Sequence, residues 1–104
     1  MSDRAMRNTE VSDKEVSDEE EIDYRQMRWA SRRGMLELDL ILEPFVDNHY
    51  PNLNSEDKSR YRALMSCQDQ ELFDWFLNKK LPSELAHRHI IELILAAKRA
   101  ALPA

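Results

Sequence analysis

Residues 29–46 read WASRRGMLELDLILEPFV and contain the only glycine of the chain, Gly34. After this glycine, apolar residues recur at positions 38, 41, 42, 45 and 46, which is the spacing of one helix face. The arginines just before Gly34 suit the end of a preceding helix, because positive charge is favourable near a helix C-terminus. Gly34 itself suits the left-handed residue that follows such an end. The stretch therefore predicts two helices that meet at a corner.

The composition of the whole chain agrees with an all-α fold. The 104 residues include one glycine and four prolines. A single glycine is too few for the tight turns of a β-rich protein. A chain of this length makes a single domain. Short helices joined by short loops bury their apolar faces only against each other, so we expect a small bundle of about five helices.

Further helix boundaries follow from prolines and capping residues. The first helix is predicted over about 21–33, and the second begins at about Met35, with a kink or a break near Leu40 caused by Pro44. Asn54 is a good N-cap for a third helix that runs to about residue 66. Asp69 is expected to cap a short fourth helix, and Pro82 to begin the fifth. The inward face of the fifth helix is predicted to carry Ala86, Ile90, Leu93, Ile94 and Ala97.

Charge divides the chain into two parts. Residues 1–21 carry eight acidic and three basic side chains, and the remaining 83 residues carry twelve of each. The sequence thus predicts a disordered acidic tail over 1–21 and a folded domain over 22–104. A neutral body lacks the basic stripe of a nucleic-acid binder. Without an apolar run of spanning length or a signal peptide, and with one cysteine, we expect a cytoplasmic protein that does not insert into a membrane.

Candidate catalytic groups are few. Cys67 has no histidine near it in the sequence and is expected to be a structural cysteine. His87 and His89 point about 200° apart on a helix and so cannot share a metal ion, while His49 is isolated. A single glycine leaves no glycine-rich nucleotide loop. We therefore expect no catalytic residue, no metal site and no enzyme activity.

The corner itself allows two interpretations. In one, Gly34 only ends a helix, and Gly34→Ala costs about 1 kcal/mol of stability and little else. In the other, Gly34 lets the backbone of a partner approach closely, while Arg33 and Glu37 face outward as paired polar contacts. The residues alone leave both open.

The run from Arg32 to Asp39 resembles the Arg-Gly-x-x-Glu signature of the FAD assembly factor SdhE family, the succinate dehydrogenase flavinylation factors. The similarity continues downstream through Pro44-Phe45 and an Asp-x-x-Leu-Phe-x-Trp stretch that begins at Asp69. It covers about residues 22–100.

The resemblance implies an assembly chaperone that promotes covalent attachment of FAD to the flavoprotein subunit of succinate dehydrogenase, or of fumarate reductase. The flavoprotein's own histidine would form the bond, and this chain, a monomer, would not bind FAD tightly. An alternative is a protein-binding regulator or antitoxin-like adaptor on the same fold. The residues that the resemblance assigns to partner binding are Arg33, Gly34, Glu37, Arg32 and Asp39, and those expected to support the corner from beneath are Trp29 and Met35.

Overall fold

The computed structural model describes residues 18–101, and it confirms the small all-α bundle. Within that range there are five α-helices, one 3₁₀ turn and no strand. The elements are α1 (Asp18–Ala30), α2 (Leu36–Asn48), the 3₁₀ turn (Tyr50–Asn52), α3 (Ser55–Met65), α4 (Asp69–Phe76) and α5 (Leu85–Ala101).

Of the tail predicted over 1–21, residues 1–17 lie outside the described residues. Its last four positions, 18–21, are helical and form the first turn of α1, so the prediction of disorder is wrong there. All four carry carboxylates, which are favourable at the positive end of a helix dipole. Among residues 18–101, no helix is long and apolar enough to span a membrane.

The core lies between α2, α3 and α5. The stripe predicted on α2 is buried in full: Leu38, Ile41, Leu42, Phe45 and Val46. On α5 the inward face is rotated from the expected one, because Ala86 is exposed and the buried residues are His87, Ile90, Ile91 and Ile94. Ile90 and Ile94 are thus the two members of the predicted α5 stripe that are fully buried.

The structure changes three predictions about helix boundaries. First, α1 ends at Ala30 instead of residue 33, because the Arg32 amide bonds only three residues back, to the Trp29 carbonyl at 3.2 Å. Second, α2 continues through Pro44, which excludes the break that was one of the two alternatives expected there. Pro44 is exposed, and buried residues on both sides of it hold the helix on the core, which overrides the local preference. Third, α5 begins at Leu85 rather than at Pro82.

Of the two capping predictions, the one for α3 is confirmed and the one for α4 is wrong. The Asn54 side chain accepts the Asp57 amide at 2.7 Å, as expected for the N-cap of α3. The N-cap of α4 is Gln68, not Asp69, and its amide donates to the Glu71 carboxylate at 3.0 Å. Asp69 becomes available for a different contact, which is described below.

Helix α1 has no fully buried residue; partly buried apolar side chains pack it against the core, and polar contacts attach it as well. Tyr24 and Arg28 both donate to Asp47 at the end of α2, at 3.0 and 2.8 Å. Asp23 accepts from Tyr50 and, at 3.3 Å, from Arg62. These contacts fix the angle at which α1 enters the segment that precedes α2.

Candidate functional site

Residues 31–35 join α1 to α2, and we call this segment the corner. Gly34 lies in it with a φ of +82°, in the left-handed region that favours glycine. The left-handed conformation was predicted, but Gly34 stands four residues beyond the end of α1 rather than directly after it. A Cβ on Gly34 would meet no atom within 4 Å. Glycine is therefore required here by backbone conformation, and not by crowding within the chain.

Arg33 points into the protein, contrary to the expectation that it faces outward. Its side chain is 13% exposed, and its Nε donates to Asp69 Oδ1 at 2.7 Å. Its two terminal nitrogens donate to the backbone carbonyls of Ala30, Met65 and Cys67 at 2.7–2.9 Å. The planar guanidinium fork suits this task because it reaches several acceptors at fixed angles. Arg33 thus fastens the corner to the junction between α3 and α4.

Two further contacts stabilise the corner from within. The backbone amide of Arg33 donates to Asp39 Oδ1 at 2.7 Å, which closes the chain over the first turn of α2. Ser31 is fully buried, donates to the Met27 carbonyl at 2.7 Å and lies 2.5 Å from the hydroxyl of buried Tyr61. Burial raises the pKa of Tyr61, so its hydroxyl stays protonated and available for this hydrogen bond.

The outer side of the corner carries charges that the fold does not use. Arg32, Gly34 and Glu37 are all exposed. Within residues 18–101, neither the Arg32 nor the Glu37 side chain makes a hydrogen bond or ion pair. Glu37 therefore does not form the pair with Arg33 that was expected. Unpaired opposite charges beside an exposed glycine can contact another molecule without first breaking internal bonds.

The two residues expected to support the corner from beneath behave differently. Met35 is half-buried and packs against the core. Trp29 is 81% exposed, so the prediction that it lies under the corner is wrong. Its position in the sequence places Trp29 near the corner. The spacing of apolar residues does not identify which face of α1 packs inward, because this helix has no fully buried residue.

Sequence reasoning missed the inner partners of the corner. Asp69 was interpreted as a cap and Ser31 was assigned no role, but both hold the corner in place. Asp69 lies 36 residues after Arg33. The one available signal was that the Arg-Gly-x-x-Glu run and the block beginning at Asp69 occur in the same chain.

Within residues 18–101, the surroundings of Cys67 do not favour a catalytic role. Cys67 Sγ lies 3.6 Å from His87 Nε2, a proximity that the sequence did not reveal. Burial raises the pKa of the Cys67 thiol, and the carboxylates of Glu71 and Glu84 raise it further, which disfavours a thiolate nucleophile. His89 instead contacts Asp57, at 3.2 Å. The described part of the chain contains no group of three or more side chains suited to hold a metal ion.

The fold and this geometry define a small helical protein whose candidate site is a rigid, exposed corner, a surface suited to binding another protein. Comparison with known proteins gives the family. A family model described as "Flavinator of succinate dehydrogenase" matches residues 25–98. The chain therefore belongs to the family of succinate dehydrogenase flavinators, also named FAD assembly factor SdhE.

Several relatives bear that name. The protein from Pseudomonas aeruginosa is 43% identical over 76 residues, covering 73% of this chain and 90% of the relative. The one from Idiomarina loihiensis is 54% identical over 55 residues, covering 53% and 61%. The one from a Serratia species is 38% identical over 69 residues, covering 66% and 78%. Because these relatives are named assembly factors, the prediction of an assembly factor rather than an enzyme is confirmed.

Proposed function

We propose that this chain binds the flavoprotein subunit of succinate dehydrogenase and promotes covalent attachment of FAD to that subunit. Fumarate reductase, with a related flavoprotein, is a second expected partner. Membership of the flavinator family supports the proposal. The observation that carries it is the corner itself, where Gly34 and two unpaired charges are exposed on a loop held by four hydrogen bonds of Arg33.

The bond forms on the partner in this proposal. Covalent attachment requires a histidine of the flavoprotein to meet the 8α-methyl carbon of FAD in near-attack geometry. The contribution of this chain is to bind the immature subunit and favour the aligned arrangement. A preformed corner suits that role, because little conformational entropy remains to be lost when the partner binds.

The exposed and buried residues take different parts. Gly34 permits close approach of the partner's backbone, and Arg32 and Glu37 make charged contacts with it. Arg33 and Asp39, which the resemblance assigned to partner contact, act by positioning these three, because their polar groups are already engaged within the chain.

We also expect that the chain acts as a monomer in the cytoplasm and does not bind free FAD tightly. The last expectation follows from its single glycine, which leaves no glycine-rich loop for a pyrophosphate. Titration of the purified chain into FAD tests it, and quenching of flavin fluorescence at micromolar protein would contradict it.

Co-expression tests the main proposal. The flavoprotein subunit is produced in a host without its own assembly factor, with and without this chain, and covalent flavin is measured as in-gel fluorescence after denaturing electrophoresis. We expect a strong fluorescent band only when the chain is present. A flavoprotein lacking its acceptor histidine is the control for non-covalent flavin. Equal fluorescence with and without the chain would refute the proposal.

A further inference from the structure

A row of exposed apolar side chains on α2 has no role in the contacts described so far. Leu36, Leu40 and Pro44 are spaced four residues apart and are exposed, and we call them the α2 stripe. Leu36 is 69% exposed and Leu40 61%. At 1.5 Å per residue, the stripe extends roughly 12 Å along the helix. The core does not need these residues, because the opposite face of α2 already supplies the buried stripe.

The α2 stripe forms one wall of a groove between α1 and α2. Arg28 and Arg32 line the α1 side of the same groove. Arg28 is paired with Asp47 at 2.8 Å, whereas Arg32 has no carboxylate partner among residues 18–101. Trp29, with 81% of its surface exposed, stands between these arginines in the sequence. Tryptophan and arginine are the residue types most enriched where binding energy concentrates in protein interfaces.

The groove is continuous with the corner. Arg32 belongs to both, and Leu36 follows Met35 directly at the start of α2. A partner seated on Gly34 and Glu37 therefore lies next to Leu36, the first residue of the α2 stripe. The groove is also lined by the carboxylates of Asp39, Glu43 and Asp47, so exposed apolar side chains lie there among charges of both signs. Exposed apolar side chains within a polar surround are typical of an interaction site.

We propose that the groove takes an apolar segment of the flavoprotein, with a carboxylate of that segment paired to Arg32. This inference rests on the proposed function and extends the docking surface from the corner along α2. Apolar side chains of the partner cover Leu36 and Leu40, and the free guanidinium of Arg32 selects an acidic residue at the corner end. The corner fixes the partner's orientation, and the stripe supplies most of the apolar area that is buried.

Matched leucine variants test the proposal. Leu40→Glu places a charge in the α2 stripe. Leu85→Glu is the control: it places the same charge at the start of α5, on another helical leucine that is 74% exposed. Glutamate is a good helix former, so circular dichroism should show both variants folded. Binding to the FAD-free flavoprotein subunit is measured by calorimetry. We expect at least a tenfold weaker affinity for Leu40→Glu and less than a twofold change for Leu85→Glu.

The charge contact has its own test. Arg32→Gln should weaken binding several-fold at low ionic strength and little at high ionic strength, because an exposed ion pair is screened by salt. An unchanged affinity of Arg32→Gln at low ionic strength would overturn the predicted carboxylate contact.

Each remaining outcome separates the two proposals. Suppose that Gly34→Arg abolishes binding while Leu40→Glu binds as well as Leu85→Glu. The chain then binds the flavoprotein through the corner, and the proposal that the α2 stripe takes part in binding is wrong. If the unmodified chain neither binds the subunit nor raises covalent flavin, the proposed function itself falls. Sedimentation velocity gives the last outcome. A wild-type dimer that Leu40→Glu converts to a monomer would assign the stripe to a second copy of this chain and overturn the flavoprotein segment as its occupant.

Discussion

Arg32 and Arg33 are neighbours of identical chemistry, yet the fold gives them opposite surroundings. Arg33 is 13% exposed and donates four hydrogen bonds, one of them to the carboxylate of Asp69. Arg32 is exposed, and its side chain makes no hydrogen bond or ion pair in the part of the chain that the structure describes. We call the residues that hold the corner its inner side, namely Ser31, Arg33 and Asp39, and the exposed ones its outer side, namely Arg32, Gly34 and Glu37.

The comparison shows that one short signature carries two kinds of information. The inner side gives the corner a single conformation by connecting it to α2, α3 and α4. The outer side presents groups that gain little from the fold and are free to contact a partner. Variants of the inner side should therefore lose stability first, and variants of the outer charges, Arg32 and Glu37, should lose function without losing stability.

Replacing Arg33 should have the largest effect on the inner side. Arg33→Ala leaves three carbonyls and the Asp69 carboxylate without their donor, at an expected cost of about 2–4 kcal/mol in the free energy of unfolding. Urea denaturation followed by circular dichroism measures that loss. Arg33→Lys should recover only a minor part of it, because one ammonium group cannot reproduce the guanidinium fork.

Arg32→Ala is the matched control for Arg33. As a surface change it should shift the free energy of unfolding by less than about 0.5 kcal/mol. Equal destabilisation by Arg32→Ala and Arg33→Ala would erase the distinction between the two sides.

The Ser31–Tyr61 contact gives the next largest effect. Ser31→Ala leaves the buried Tyr61 hydroxyl without its partner and should cost about 1–3 kcal/mol. Adding Tyr61→Phe removes the unsatisfied group, so the double variant should be no less stable than Ser31→Ala. The free energies of unfolding of the two single variants and the double variant form a cycle that isolates the pair. Additive losses would show that the two hydroxyls are not coupled.

The sequence predicted well what depends on local periodicity. The α2 core stripe, the Asn54 cap and the all-α bundle follow from spacings of three or four residues and from side-chain chemistry within one turn. Such signals are complete within a single helix, because one face must be apolar and each end must satisfy its free amides.

The orientation of side chains at the corner could not be predicted in the same way. Arg33 turns inward because Asp69 and the carbonyls of Met65 and Cys67 are close in space, and these lie 32–36 residues away along the chain. Trp29 is exposed because the side of α1 that packs against the core carries Tyr24, Met27 and Ala30 instead. Both facts depend on tertiary packing, which a single sequence does not encode in any local pattern.

Gly34 tests whether conformation and recognition are separable. Gly34→Ala and Gly34→Arg both force a side chain into the left-handed region and should each cost about 1–2 kcal/mol. Because a Cβ at Gly34 meets no atom of residues 18–101 within 4 Å, both variants should keep their helical content. In the co-expression assay we expect Gly34→Arg to abolish covalent flavin and Gly34→Ala to retain part of it. Gross unfolding of Gly34→Arg would favour the capping role, and full activity would remove Gly34 from the interface.

Glu37 should show the smallest change in stability and so gives the sharpest view of the outer side. Glu37→Gln keeps the size and helix propensity of the side chain and removes only its charge. Because Glu37 makes no hydrogen bond or ion pair within residues 18–101, the free energy of unfolding should change by less than about 0.5 kcal/mol. Covalent flavin in the co-expression assay should nevertheless fall several-fold, because the partner loses a charged contact. Glu92→Gln, on the exposed face of α5, is the control and should leave both readouts unchanged. If Glu37→Gln and Glu92→Gln give the same covalent flavin, Glu37 does not contact the partner, and the outer side is reduced to Arg32 and Gly34.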